Sequence, residues 1–169
     1  KEKLDGLSPM ALSQDGDLVA AANWTERIVG LWDASSGKLL DRRRSADLAV
    51  QSMAFSPDDR RLAAGLRDGA VLLFDSHSVS THRRLLGHRA DVRDLAFSTD
   101  GTKLFTAGAD GAVCCWDLTA IERCQTERKT EYPVEAIVFQ PAGPLCAYLD
   151  STSAVTLFDT RTGFTSLRI

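Results

Sequence analysis

The sequence lacks any apolar run approaching the roughly 20 residues that a membrane-spanning helix needs, so we expect no membrane partner. It also lacks a strong excess of either charge, because 20 lysines and arginines balance 23 aspartates and glutamates to a net charge of -3. Such a balance provides no overall attraction to nucleic acid, which we do not expect as a partner. Residues 1–5 are mostly charged and lack the apolar core of a signal peptide.

Cysteine and histidine are scarce, with four and three residues respectively. No Cys-x-x-Cys pair is present, and the adjacent Cys114 and Cys115 would point to opposite faces of a strand. This spacing argues against a zinc site and against a disulfide framework, and we expect no metal and no cofactor. Thiols in apolar segments favour a reducing compartment, which means the cytoplasm or the nucleus.

What the sequence does contain is a repeat. An aromatic residue followed by aspartate recurs every 42 residues, at Trp32-Asp33, Phe74-Asp75, Trp116-Asp117 and Phe158-Asp159. A valine column and a phenylalanine column share this period, and four periods account for nearly all of the 169 residues. We therefore expect one array of four units, approximately residues 1–44, 45–86, 87–128 and 129–169.

Each period has the pattern of short strands separated by turns. The third period predicts strands at 92–98, 103–108 and 112–117 and a weaker fourth strand near 122–125. Gly101 supplies the positive φ that the first turn needs. The third strands are apolar on both sides, which predicts that both of their faces are buried. No segment has a convincing helical period, so the fold class is predicted to be all-β.

The third repeat resembles a known family. It contains Gly87-His88, Thr106, Asp110-Gly111 and Trp116-Asp117, and with a period of about 40–45 residues these motifs resemble those of WD-repeat β-propellers. The resemblance implies four-stranded antiparallel blades arranged radially, as part of a seven- or eight-bladed propeller. It also implies a structural tetrad of hydrogen-bonded side chains, which falls on His88, Thr106, Asp110 and Trp116.

The other repeats depart from this pattern. The second has Ser45-Ala46 in place of Gly-His, and the fourth has Lys129-Thr130 there and Thr152 in place of the turn aspartate. The first has a longer second turn, 23–27, and a one-residue offset in its first strand. A full tetrad is therefore expected in the third blade alone.

The resemblance implies a non-catalytic protein–protein interaction scaffold, not an enzyme, whose partner docks on one rim of the propeller. The residues expected on this rim, from the turns between second and third strands and from the connections between blades, are Trp24, Glu26, Arg27, Arg67, Asp68, Asp91, Arg93 and Glu135. The mixture of charges suits a peptide or loop better than a polyanion. Trp24 either packs against a neighbouring blade or anchors the partner.

Two other patterns in the sequence have been associated with different functions in other proteins, and neither fits here. His88, Thr106 and Asp110 lack the strained nucleophile turn and the oxyanion donor of a nucleophilic relay, so no catalytic residue is expected. The runs Arg42-Arg43-Arg44 and His82-Arg83-Arg84 fit charged outer edge strands better than a nucleic-acid stripe.

Two alternatives remain open for the function. The ending Phe158-Asp159-Thr160-Arg161 loosely matches WD proteins that dock on ubiquitin-ligase adaptors, which would make the chain a substrate-recruiting subunit. In the second alternative, the chain is the propeller portion of a larger enzyme or signalling protein. Because four blades leave an apolar face bare at each end, we expect the remaining blades to come from the same longer chain or from a second copy.

Overall fold

The computed structural model describes residues 9–23, 25–119, 124–140, 143–159 and 165–169, with the backbone alone at 81, 124–129, 165 and 166. Within these ranges every regular element is a β-strand, and consecutive strands form four antiparallel four-stranded sheets. The predicted all-β fold with four-stranded antiparallel blades is therefore confirmed.

The strands of the first blade are β1 (Met10–Leu12), β2 (Leu18–Asn23), β3 (Ile28–Asp33) and β4 (Leu39–Arg44). Those of the second are β5 (Val50–Phe55), β6 (Arg61–Leu66), β7 (Ala70–Asp75) and β8 (Ser78–Leu86). Those of the third are β9 (Val92–Phe97), β10 (Lys103–Gly108), β11 (Ala112–Asp117) and β12 (Cys124–Lys129). Those of the fourth are β13 (Val134–Phe139), β14 (Leu145–Asp150), β15 (Val155–Asp159) and β16 (Thr165–Arg168).

The first turn is built in the same way in the first three blades. In the third blade, Ser98 Oγ donates to Asp100 Oδ1 at 2.6 Å and accepts from Lys103 N at 2.9 Å. Gly101 then takes a φ of 68°, as its position predicts, because the chain must reverse there. The same serine–aspartate pairing recurs at Ser13 and Ser56. Each serine thus joins the turn to the second strand.

The blades pack face to face through apolar cores, one at each of the three boundaries between them. Both faces of β7 and β11 are buried along nearly their whole length, as their unbroken apolar sequence predicts. Cys114 joins the core between the second and third blades, and Cys115 joins the core between the third and fourth. The prediction that these neighbours face opposite ways is confirmed.

The blades stand with their first strands side by side. Strand β5 contacts β1 on one side and β9 on the other, and β9 in turn contacts β13. The fourth strands β4 and β8 also meet at the outer side of the first boundary. This is the packing of adjacent blades around a propeller axis.

The fourth strand of the third blade lies further along the chain than predicted. It runs over Cys124–Lys129 rather than near 122–125, of which 122 and 123 lie outside the described residues. It pairs with β11 from Trp116 opposite Cys124 to Ala112 opposite Lys129. An outermost strand pairs on one side only, so its sequence need not be apolar, and polar residues concealed this strand in the pattern.

Candidate functional site

One edge of the array carries the turns between second and third strands together with the connections between blades. Backbone hydrogen bonds of 2.9–3.0 Å join the two kinds of segment: Arg67 N to Ala49 O, Ala109 N to Asp91 O, and Ser151 N to Pro133 O. We call this edge the rim, and it comprises residues 25–27, 67–69, 109–111 and 151–154 of the turns and residues 45–51, 87–93 and 130–135 of the connections and first-strand starts.

Four of the expected rim residues form ion pairs across blade boundaries. Arg67 Nε lies 3.8 Å from Asp91 Oδ2, which joins the second blade to the third. Arg93 Nη1 lies 4.0 Å from Glu135 Oε2, which joins the third blade to the fourth. All four side chains keep between 27% and 54% of their surface exposed. Such exposed pairs stabilise a protein by about 0–1 kcal/mol, so their charges remain available to a partner.

The rim residues of the first two blades are held by other contacts. Glu26 and Arg27 are exposed, and the Arg27 guanidinium donates to Ala46 O in the connection to the second blade. Asp68 pairs with Arg84 of β8, within its own blade. Trp24 lies outside the described residues.

The structure brings the four tetrad side chains of the third blade together. His88 Nδ1 lies 3.0 Å from Asp110 Oδ1, and His88 Nε2 lies 2.7 Å from Thr106 Oγ1. The indole N–H of Trp116 donates to the same Thr106 oxygen at 3.1 Å. With Trp116 donating to Thr106, the Thr106 hydroxyl donates to His88 Nε2, and His88 Nδ1–H donates to Asp110. Every polar atom of this buried chain is then satisfied.

Asp110 terminates the chain of hydrogen bonds as a carboxylate. Burial works to raise its pKa, but hydrogen bonds from Arg89 N, His88 and Ala112 N outweigh burial and hold the pKa below its usual range. The distances from Arg89 N to Oδ2 and from Ala112 N to Oδ1 are 2.7 and 3.1 Å. Asp110 therefore ties the connection before the blade to the turn within it.

The described part of the chain contains no group of three or more histidine, cysteine, aspartate or glutamate side chains able to hold a metal ion. The described residues also include no helix long and apolar enough to cross a membrane. The tetrad side chains form one cluster of polar residues, and hydrogen bonds within the blade engage all four of them.

Two family models match the chain. The model described as "WD domain, G-beta repeat" matches residues 79–117, the segment that contains the whole tetrad. The model described as "Anaphase-promoting complex subunit 4 WD40 domain" matches residues 10–86, most of the first two blades. Together the two matches span residues 10–117, and they support the assignment of the chain to the WD-repeat family. WD repeats are generally scaffolds for protein interaction and are typically non-catalytic.

Part of the chain is similar to a WD-repeat protein of a plant. The WD repeat-containing protein VIP3 of Arabidopsis thaliana is 32% identical over 96 residues, which cover 49% of this chain and 30% of that protein. The chain thus matches less than a third of the length of this relative. The similarity is one of repeat family, in agreement with the two models.

The second WD repeat replaces the tetrad with apolar packing. Ala64 stands at the position of the tetrad threonine and Phe74 at that of the tryptophan, and both are almost fully buried. Asp68 keeps the aspartate position but pairs with Arg84 instead of a histidine. At these two positions the second blade therefore has no hydroxyl or indole N–H that requires a partner.

The fourth WD repeat makes a similar replacement with aromatic rings. Tyr148 and Phe158 occupy the threonine and tryptophan positions, and their ring centroids lie 6.1 Å apart at an angle of 57°. Thr130, at the histidine position, lies with its hydroxyl 2.9 Å from Gly111 O and 2.5 Å from Tyr132 O, rather than extending into its own blade. The contact with Gly111 joins the fourth repeat to the turn of the third.

Sequence reasoning missed one aromatic residue on the rim. Tyr132 keeps 42% of its surface exposed and follows Thr130 in the connection between the third and fourth blades. The previous repeat has Ala90 at the equivalent position, so an aromatic residue is not needed there for packing. The reasoning that singled out Trp24, an aromatic residue in a turn, applies equally to Tyr132.

Proposed function

We propose that this chain is a non-catalytic scaffold that binds another protein through the rim. The observation that carries the proposal is the presence of two ion pairs across blade boundaries, Arg67–Asp91 and Arg93–Glu135. Their side chains are half-exposed and present charges of both signs. A polypeptide can satisfy both signs with its own side chains and backbone, whereas a polyanion satisfies only one.

The rim combines a fixed backbone with exchangeable side chains. Its turns are hydrogen-bonded to the connections beside them, and the blades beneath pack through continuous apolar cores. A partner would therefore meet a surface whose backbone is already ordered, which lowers the entropy cost of binding. The weak ion pairs between blades can be exchanged for pairs with the partner at small cost.

The occupant we propose is a peptide segment or loop that docks near Trp24 and Arg67. Tryptophan, tyrosine and arginine are the residues that most often dominate binding energy. Tyr132 provides a second anchor on the rim of the third and fourth blades. The tetrad supports the proposal that the scaffold is non-catalytic. Its histidine and threonine are buried and hydrogen-bonded to other side chains of the blade.

A displayed library of random peptides, selected on the immobilised chain, tests the proposal. Selected peptides should bind Arg67→Ala and Arg93→Ala variants at least about tenfold more weakly than the parent, because each substitution removes a charge from the rim. The dissociation constants are measured by calorimetry.

Thr99→Ala is the matched control for these variants. Thr99 is exposed in the first turn of the third blade, at the edge opposite to the rim. Peptides that lose affinity for the Thr99 variant and keep it for both arginine variants would contradict the proposal.

We further propose that other blades cover the two outer faces of the array. Leu12 of β1 is 60% exposed, whereas Phe55, the equivalent residue of β5, is 6% exposed in a core between blades. Val138 of β13 is 61% exposed, and its equivalent Ala96 packs against the next core. Apolar residues at these positions fit a neighbouring blade better than they fit water. The blades would come from a longer chain or a second copy.

Light scattering and thermal unfolding test this arrangement. The chain alone should associate or unfold without cooperativity, because two apolar faces stay uncovered. A monodisperse, cooperatively folding monomer of 18.4 kDa would contradict it.

The compartment we propose is a reducing one, the cytoplasm or nucleus. The support is the burial of three thiols, Cys114, Cys115 and Cys146, within the cores. Burial raises the pKa of the Cys146 thiol to about 12, which keeps it protonated and unreactive.

The alternative of a subunit in a larger assembly is favoured by the family model that matches residues 10–86, since its description names a complex subunit.

A further inference from the structure

The run Arg42-Arg43-Arg44-Ser45 ends β4 and begins the connection between the first two blades. Arginines three and two residues before a serine are the pattern that kinases with acidic substrate grooves recognise, since each guanidinium pairs with a carboxylate of the groove. We propose that Ser45 is a phosphorylation site, and that the phosphate is held by Arg43 and Arg84 at the boundary between the first two blades.

The position of Ser45 allows a kinase to reach it. Strand β4 is the outermost strand of the first sheet and pairs with β3 on one side. Arg42 and Arg44 are exposed on this strand, and Ser45 is half-buried just past its end. An edge strand separates from its sheet at lower cost than an inner one, so the segment can enter an extended substrate groove.

The surroundings of Ser45 contain buried polar atoms that lack partners among the described residues. These atoms are Arg43 Nε, Asp47 Oδ1 and His82 Nδ1. Buried polar atoms are normally hydrogen-bonded, and an orphaned guanidinium N–H in particular calls for an acceptor. Within the described part of the chain, Arg43 Nη1 donates to Ser80 O at 3.0 Å, and Nε–H has no acceptor.

Asp47 connects Ser45 to the arginines. A hydrogen bond from the Ser45 hydroxyl is the main cause that lowers the pKa of Asp47, and the charges of Arg43 and Arg84 lower it further. Arg84 Nη1 lies 3.7 Å from Asp47 Oδ2. Ser45 therefore lies two residues before a carboxylate that both arginines attract.

The modification exchanges one anion for a stronger one. A kinase forms the bond from Ser45 Oγ to the γ-phosphorus of ATP as the bond from that phosphorus to the bridging oxygen of ADP breaks, and the hydroxyl proton passes to the kinase's catalytic carboxylate. Ser45 gains about 1.5–2 negative charges and three acceptor oxygens. The phosphate repels Asp47 and accepts hydrogen bonds from Arg43, including its orphaned Nε–H, and from Arg84.

The same contacts connect the phosphate to the rim. Ser45 N donates to Arg27 O at 3.1 Å, and the Arg27 guanidinium donates to Ala46 O. Arg84, which the phosphate attracts, also pairs with Asp68 in the turn of the second blade. Phosphorylation thus alters the charge and position of rim residues on both sides of the first blade boundary.

Phosphorylation of the intact chain by a purified kinase that prefers arginine before serine, with MgATP, tests the site. Peptide mapping by mass spectrometry should find one phosphoryl group, on Ser45, and none in a Ser45→Ala variant. The exposed Arg42→Gln variant should be phosphorylated at least about tenfold more slowly, because it loses one arginine–carboxylate pair.

The fourth blade supplies a matched internal control. Thr130 follows Arg128 and Lys129 but has glutamate at 127, and its hydroxyl is engaged with Gly111 O and Tyr132 O. It should stay unmodified. Phosphate on Thr130 at the same rate, or a chain left unmodified at Ser45 while a peptide of residues 38–50 is phosphorylated, would overturn the proposal.

Titration of the phosphate by ³¹P nuclear magnetic resonance tests where it is held. The second pKa of a solvated phosphoserine is about 6, and two arginines should lower it by at least about half a unit relative to the phosphorylated peptide. The Arg84→Gln variant should move it back toward the peptide value. The same titration in chain and peptide would show that the arginines do not hold the phosphate.

Discussion

The third and fourth blades have the same strands in the same order but are stabilised in different ways. The third closes its interior with a chain of hydrogen bonds from Trp116 through Thr106 and His88 to Asp110. The fourth closes it with the tilted rings of Tyr148 and Phe158. The third blade buries several polar groups, each of which needs a hydrogen bond from its neighbour, whereas the fourth blade buries fewer such groups.

The tetrad is therefore one way to fill the interior of a blade, and a blade can form without it. A blade needs a filled interior and a fixed connection to the blade before it. The third blade meets both needs with one network, since Asp110 also accepts from Arg89 N. The second meets them separately, with Ala64 and Phe74 inside and the Arg27 contact to Ala46 O on the connection.

Removing the acceptor at the end of the network should produce the largest difference in stability loss between the two blades. Asp110→Ala leaves the His88 N–H and Arg89 N without their acceptor, and an unsatisfied buried partner costs about 1–3 kcal/mol. Thr152→Ala, at the equivalent place in the fourth blade, should cost about 0.5 kcal/mol or less, because this exposed hydroxyl is one of several donors to Asp150. Chemical denaturation of both variants measures the difference. Equal losses would contradict the assignment of the tetrad.

A smaller effect is expected from two aspartates of the third blade, whose contributions to stability should depend on pH with opposite signs. Asp94 of β9 accepts from Ile137 N across the blade boundary at 2.8 Å, and burial raises its pKa despite that bond. Hydrogen bonds lower the pKa of Asp110 despite its burial. Asp110 therefore contributes stability above its unfolded pKa that is lost as pH falls through the folded value. Ionised Asp94 costs stability that is regained as pH falls.

Asparagine at each position tests these signs. Near neutral pH, Asp110→Asn should be less stable than the parent and Asp94→Asn at least as stable, since an amide oxygen can still accept from Ile137 N. Both differences should shrink as the pH is lowered toward the carboxylate range. Urea denaturation at neutral and acidic pH measures them, and shifts of the same sign at the two positions would show that the environments are wrongly described.

Much of the fold could be predicted from one sequence because its determinants are local. The turn residues, such as Ser98 and Gly101, act within their own hairpin, and the unbroken apolar sequence of β11 reports burial directly. The tetrad residues could be named in advance because the third repeat resembles the WD-repeat motif and contains all four of them. The fourth strand β12 could not be bounded, because an edge strand carries no apolar pattern.

The contacts between blades could not be predicted, for a physical reason. The pairs Arg67–Asp91 and Arg93–Glu135 depend on how one blade is set against the next. So does the hydrogen bond from Ile137 N to Asp94. No periodicity within a repeat encodes that relation. Tyr132 is different, because Ala90 at the equivalent position of the third repeat already shows that no aromatic residue is needed there.

The central claim is that the rim binds a protein partner, and the Trp24→Ala variant tests it most directly. Its affinity for the selected peptides and its free energy of unfolding are measured on the same preparation. Binding should weaken by roughly 2 kcal/mol or more, while the free energy of unfolding should stay within about 0.5 kcal/mol of the parent. A loss of stability with unchanged intrinsic affinity would contradict it, because Trp24 would then pack against a neighbouring blade rather than anchor a partner.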